Sequence, residues 1–159
     1  MCDPHVRAGR QLFGQGMLPM ELTKSNSARK LLLWSVPIVI GHFVAVVWHL
    51  LLLVKVQPGT PGFLPALLIG INLLPVAGLA AFVKGFPKVA ASMITVPLGI
   101  ALVIGAYSHF LSPGTDNVLR MPPGELRVPF QVSATLLVVL EGLGCWVGLR
   151  MFAYRTPGS

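Results

Sequence analysis

Four long apolar segments, at about residues 31–54, 63–83, 89–111 and 130–149, constrain this chain more than any other feature. Each is long enough to cross a hydrocarbon core of roughly 30 Å as a helix, which takes about 20 residues. Within lipid every backbone N–H and C=O must be satisfied inside the segment, so helix is the expected element in all four. The expected fold is an all-α membrane protein, an antiparallel four-transmembrane-helix bundle. Composition removes the soluble alternative. With 54% hydrophobic and 11% charged residues and a mean hydropathy of +0.76, too few charges exist to build a polar shell.

The formal net charge of +7 could suggest nucleic acid, but the charges sit between the apolar segments rather than on one face. Basic residues flanking membrane spans follow from topology alone, and no nucleic-acid recognition motif is present. The bilayer is the expected partner. Cys2 lies in the N-terminal region and Cys145 inside the fourth segment, so a structural disulfide is not expected.

Residues 1–30 read as a basic tail without helical period, and Met20 would make an ordinary protein start, so 1–19 could be an upstream extension. Pro58, Gly59, Pro61 and Gly62 mark a turn after the first span, and Lys84-Gly85-Phe86-Pro87-Lys88 marks another after the second. The first span is too long for a signal peptide, and no small-x-small cleavage site follows it. A loop at 112–129 carries four prolines and the charges Asp116, Arg120, Glu125 and Arg127. Residues 151–159 form a short tail.

Lys24, Arg29, Lys30, Lys84, Lys88, Arg150 and Arg155 fall on one side of this topology; Lys55, Arg120 and Arg127 fall on the other. Seven against three predicts cytoplasmic N- and C-termini and an outer 112–129 loop. The expected location is a bacterial inner (cytoplasmic) membrane. Pro37, Pro75 and Pro97 interrupt three spans, and Pro65 lies near the start of the second. Each removes a backbone hydrogen bond and can open space between helices. Trp34 and Trp146 fit an interfacial belt, while Trp48 lies deeper.

Three spans carry a strongly polar residue near the middle: His42, Asn72 and Glu141. Hydrocarbon penalises such groups by a few kcal/mol, roughly, so they face the bundle interior and have partners. Seven residues turn a helix through about 700°, so Ser35, His42 and His49 form one stripe with steps of roughly 10 Å. Ala134, Glu141 and Gly148 repeat the spacing on the fourth span, where Gly144 and Gly148 form a GxxxG that permits close helix approach. His42, Asn72 and Glu141 are therefore expected to converge at one depth. The site would serve as structural glue, as a proton relay, or as a ligand contact.

A second level is expected toward the outside, with His49, His109 and Gln131, and the 112–117 segment folding back over it. Asp116 and Asn117 read as a turn or cap in preference to metal ligands. Two histidines on facing helices raise haem b; His49 and His109 with Asp116 or Glu141 raise a metal site, though without a recognised ligand spacing. No nucleophile motif supports a hydrolase.

The leading functional expectation is a small integral membrane protein, a subunit or partner of a larger membrane assembly, whose His42–Asn72–Glu141 site is structural or proton-handling. Partners would be other membrane subunits, or a second copy packed through Gly144 and Gly148. The alternatives are a dimeric proton-coupled transporter and a haem- or metal-binding membrane protein or enzyme using the outer histidines.

Overall fold

The computed structural model describes residues 18–57, 59, 63–113 and 117–154, with the side chains of 18–25, 63 and 64 left aside. Four α-helices make up the fold: α1 (Leu18–Val56), α2 (Phe63–Val83), α3 (Pro87–Ala106) and α4 (Arg127–Phe152). A π-helical turn, Tyr107–Leu111, continues α3. No strand occurs among the described residues. Four stretches are long and apolar enough to cross a membrane: Asn26–Val56 in α1, Pro65–Val83 in α2, Pro87–Leu111 made of α3 and its π turn, and Arg127–Phe152, which is α4.

One boundary differs clearly from expectation. The helix begins at Leu18, well before residue 31, so much of the expected basic tail is the first third of α1. Residues 20–36 contain neither proline nor glycine. Extending an existing helix is far cheaper than nucleating one. A polar stretch joined to a stable apolar helix therefore propagates it without any apolar period of its own. The remainder of that tail and residues 155–159 lie outside the described residues.

The α2–α3 turn is closed locally. Phe86 N–H donates to Ala81 O at 3.0 Å and Gly85 N–H to Phe82 O at 3.0 Å, the paired bonds of a Schellman cap. Gly85 takes the required left-handed conformation at φ 86°. Pro87 then opens α3 at a first-turn position where its missing N–H costs nothing.

Each helix packs on the next, and α1 closes against α4. The largest core cluster joins Ile38 and Val39 of α1, Leu79 and Phe82 of α2, Ala90, Ala91, Ile94 and Leu98 of α3, and Val147 and Met151 of α4. A middle cluster holds Ala45, Val46, Leu50 and Leu137. At the loop end, Leu52, Phe130 and Ala134 enclose Val118 from the 112–126 segment.

Small residues set the α3 seams. At Gly78 a Cβ would meet Ile94 Cγ1 at 2.9 Å and the Ala90 carbonyl oxygen at 3.1 Å. At Gly144 it would run into Leu98, and at Gly148 into Thr95. Gly144 and Gly148 are therefore occupied by α3 of the same chain. The close approach they permit lies inside the bundle. The outward surface is apolar, with Leu33, Val44, Leu51, Val83 and Val103 all exposed, as a lipid-facing surface requires.

Candidate functional site

The seven-residue stripe on α1 turns inward. Ser35, His42 and His49 are all buried, and Ser35 Oγ donates to Leu32 O at 3.3 Å. On α4 the facing stripe buries Ser133, Ala134, Leu137, Glu141, Gly144 and Gly148. Where the stripes meet, His42 Nε2 stands 3.5 Å from Glu141 Oε1, with side chains only 1% and 6% exposed. This is ion-pair distance without a closed hydrogen bond. His42 Nδ1 and Nε2 and Glu141 Oε2 are buried without a hydrogen-bond partner.

Asn72 does not complete this pair. It is buried on α2, but its Nδ2 donates to Leu68 O, one turn earlier on its own helix, at 2.8 Å. It was expected at the depth of the pair. A neutral amide on a helix nevertheless always has a carbonyl within reach at i−4, and here the local bond takes the donor.

What lies beside Glu141 is Gly105, which the sequence reading did not single out. A Cβ built at Gly105 would sit 3.5 Å from Glu141 Oε2 and 3.9 Å from His109 Cδ2. Gly105 thus packs between that carboxyl group and a histidine of the loop-end cluster.

That cluster forms around His49. Its Nδ1 lies 2.9 Å from Ser133 Oγ, and Ser133 Oγ donates to Phe130 O at 2.9 Å. The carbonyl can only accept, so the serine proton is committed to it. His49 Nδ1–H is then the donor to Ser133, which sets the Nδ1–H tautomer whenever the ring is neutral. His109 approaches edge to face, with ring centroids 4.8 Å apart at 74°, and Phe130 stands 4.8 Å from His49 and 6.0 Å from His109. Ser133 and Phe130 were also missed. A hydroxyl inside an apolar span was the available signal for Ser133.

The π turn and the following loop hold His109 in place. Ser112 N–H reaches back to Tyr107 O at 2.8 Å, and Val118 N–H donates to His109 O at 2.9 Å. Asn117 Nδ2 donates to Ser112 O at 2.7 Å, and its Oδ1 accepts from Leu119 N–H at 2.9 Å, an Asx-type turn. Gln131 is a loop latch here: its Nε2 donates to Val118 O at 2.6 Å. Asp116 lies outside the described residues.

Haem does not fit between these histidines. Axial ligation by both needs each ring nitrogen aimed at iron from opposite sides of a porphyrin, and rings in edge contact at 4.8 Å leave no such gap. Among the described residues no three His, Cys, Asp or Glu side chains gather as metal ligands do. Comparison with protein-family models, curated proteins and solved structures found no match.

Proposed function

We propose that this protein is a small membrane-embedded subunit or partner of a larger membrane assembly, in which the His42–Glu141 pair takes up and releases a proton. The observation that carries the reading is the state of that pair. Two ionisable side chains meet at 3.5 Å in the bundle interior, yet both imidazole nitrogens and one carboxyl oxygen lack a hydrogen bond. Structural glue works best when every buried polar atom is satisfied. A site that must alternate between protonation states needs capacity left over in each. Intramembrane ionisable residues with an identifiable partner are functional by default.

The assembly half rests on what the chain offers outside its spans. Among the described residues, only short turns and the 112–126 loop lie beyond the helices, too little to hold a large soluble substrate. Alternating span direction, with seven basic residues on one side and three on the other, supports cytoplasmic termini.

Infrared spectroscopy in lipid nanodiscs tests the proton reading. The carboxyl C=O band that Glu141→Gln abolishes should rise and fall with pH, together with a change at the His42 ring. A band fixed in one state over the whole folded pH range would make the pair structural. Gentle extraction from native membranes, using the same tagged chain, should yield a stoichiometric complex; a chain that always runs alone removes the assembly role.

A further inference from the structure

At the end of the bundle opposite the 112–126 loop, the α2–α3 turn and the last turn of α4 come together. The rings of Phe82 and Tyr154 meet with centroids 5.7 Å apart, which ties the end of α4 to the end of α2, and α3 packs against both helices. The cations at this end are Arg29 and Lys30 on α1, Lys84 and Lys88 on either side of the α2–α3 turn, and Arg150 on α4. All of them are exposed. Among the residues whose side chains are described, the carboxylates lie elsewhere: Glu125 in the loop at the far end and Glu141 inside the bundle. None of these cations pairs with a described carboxylate; Arg150 lies over the Trp146 ring instead, 5.4 Å from its centroid.

A positive excess at one end follows from span topology alone, so the number of charges identifies no ligand. Their placement does more. Exposed apolar side chains adjoin each cation at the edge of its span: Leu33 and Trp34 after Lys30, Val83 before Lys84, Phe86 and Val89 around Lys88, Leu149 before Arg150. An apolar surface that gives way within a turn to unpaired cations matches the order of acyl chain and phosphate in a phospholipid. Lysine meets a phosphate as a point charge and arginine as a planar fork. A zwitterionic headgroup also brings an ammonium, and no described carboxylate stands here to receive it. An anionic headgroup brings only the charge that the cations lack. The far end is mixed, with Lys55, Arg120 and Arg127 sharing it with Glu125.

We propose that this end of the bundle is a docking collar for the phosphate groups of anionic phospholipids, centred on Lys84, Lys88 and Arg150. The collar is independent of the proton chemistry of His42 and Glu141 and does not depend on which side of the membrane it faces. Each Lys or Arg beside an anionic headgroup layer contributes about fivefold in affinity. The probes are dioleoyl phosphatidylglycerol and, with the same chains, dioleoyl phosphatidylcholine. Each is titrated into the full chain in detergent micelles and read by native mass spectrometry. Phosphatidylglycerol should bind more tightly by about tenfold or more. Replacing the three central cations together, Lys84→Gln, Lys88→Gln and Arg150→Gln, should remove that advantage. Exchanging them for the other cation, Lys84→Arg, Lys88→Arg and Arg150→Lys, should keep it, and so should Lys55→Gln, Arg120→Gln and Arg127→Gln at the far end.

Equal affinity for the two lipids, or an equal loss from the two glutamine triples, overturns the proposal. Inorganic phosphate at matched ionic strength should leave the lipid in place; displacement by it makes the collar a site for a soluble anion and overturns the lipid assignment. Should the central glutamine triple fail to accumulate, solid-state NMR on the wild-type chain in phosphatidylglycerol bilayers decides. Recoupling between lipid phosphorus and lysine side-chain nitrogen should single out Lys84 and Lys88 over Lys55. Equal recoupling at all three overturns the proposal.

Discussion

The glycines offer the sharpest test of how the bundle is built, because the structure separates them into two groups with the same chemistry. Gly41, Gly70 and Gly142 have open space where a Cβ would be, with nothing within 4 Å. Gly78 faces Ile94 Cγ1 at 2.9 Å, the Ala90 carbonyl oxygen at 3.1 Å and Met93 Cβ at 3.2 Å. Gly148 faces Thr95, including its Cβ and backbone nitrogen at 3.2 Å. A side-chain tip can rotate away, but a backbone atom moves only if its helix moves.

Replacing any of these by alanine gains up to about 1 kcal/mol of helix propensity, and that gain is common to both groups. Overpacking subtracts about 1–3 kcal/mol at Gly78 and Gly148 alone. The propensity term cancels in the comparison, so the two groups should differ by about 1–3 kcal/mol. Gly144→Ala should fall between them, because its contact is the Cδ1 end of Leu98, which is itself fully buried. Reversible unfolding in mixed micelles, read by circular dichroism, measures the series. If Gly148→Ala matches Gly41→Ala to within about 0.5 kcal/mol, the α3–α4 seam is not set by these glycines and the close approach at Thr95 is wrong.

Two further substitutions probe the loop end. Asn117→Ala removes two hydrogen bonds that hold the 112–119 segment, at about 1 kcal/mol each. Amide exchange at Val118 and Leu119 should accelerate while the helices stay protected; unchanged protection would mean the loop is held elsewhere. Ser133→Ala removes the acceptor for His49 Nδ1–H, a bond worth about 0.6 kcal/mol on average between membrane helices. The main readout is nitrogen NMR of His49, which should lose its fixed Nδ1–H tautomer; an unaltered spectrum would refute the assigned donor.

The four spans were legible because length and apolarity decide them without help from packing. His42 and Glu141 were legible for a related reason: a seven-residue repeat fixes the helix face, and depth fixes the level. Asn72 was expected at their depth, but depth says nothing about a competing local acceptor, and Leu68 O took its amide. Gly144 and Gly148 were readable as a tight packing face, but not as facing α3, because a small-residue pattern is the same whichever helix fills it. The helical start at Leu18 was hidden since propagation leaves no apolar signature. Gly105 was hidden most completely. A glycine acquires meaning only from what stands across the gap, and Glu141 is far from it in sequence.

Asn72 and Glu141 also show why the second polar level matters to the first. Both residues are read from sequence as mid-span, and Asn72 settles its donor on its own helix. An ionised carboxylate has no donor and cannot do this; among the described residues its ion-pair partner is His42. Moving a proton between Nε2 and Oε1 leaves the charge of the pair unchanged, so burial resists it only weakly. Bringing a proton from outside changes that charge within a low-dielectric interior, where an unbalanced ion is expensive. The demanding step is therefore delivery rather than transfer within the pair. A relay of neutralisable groups lowers that barrier by keeping the travelling charge beside a polar partner at each point. His109 is the loop-end residue whose ring comes closest to this level in the described contacts, its Cδ2 lying 3.9 Å from the position a Cβ at Gly105 would take, beside Glu141. On the proposed proton reading, the pair alone would store a proton, and moving one would call for a further polar group beside it.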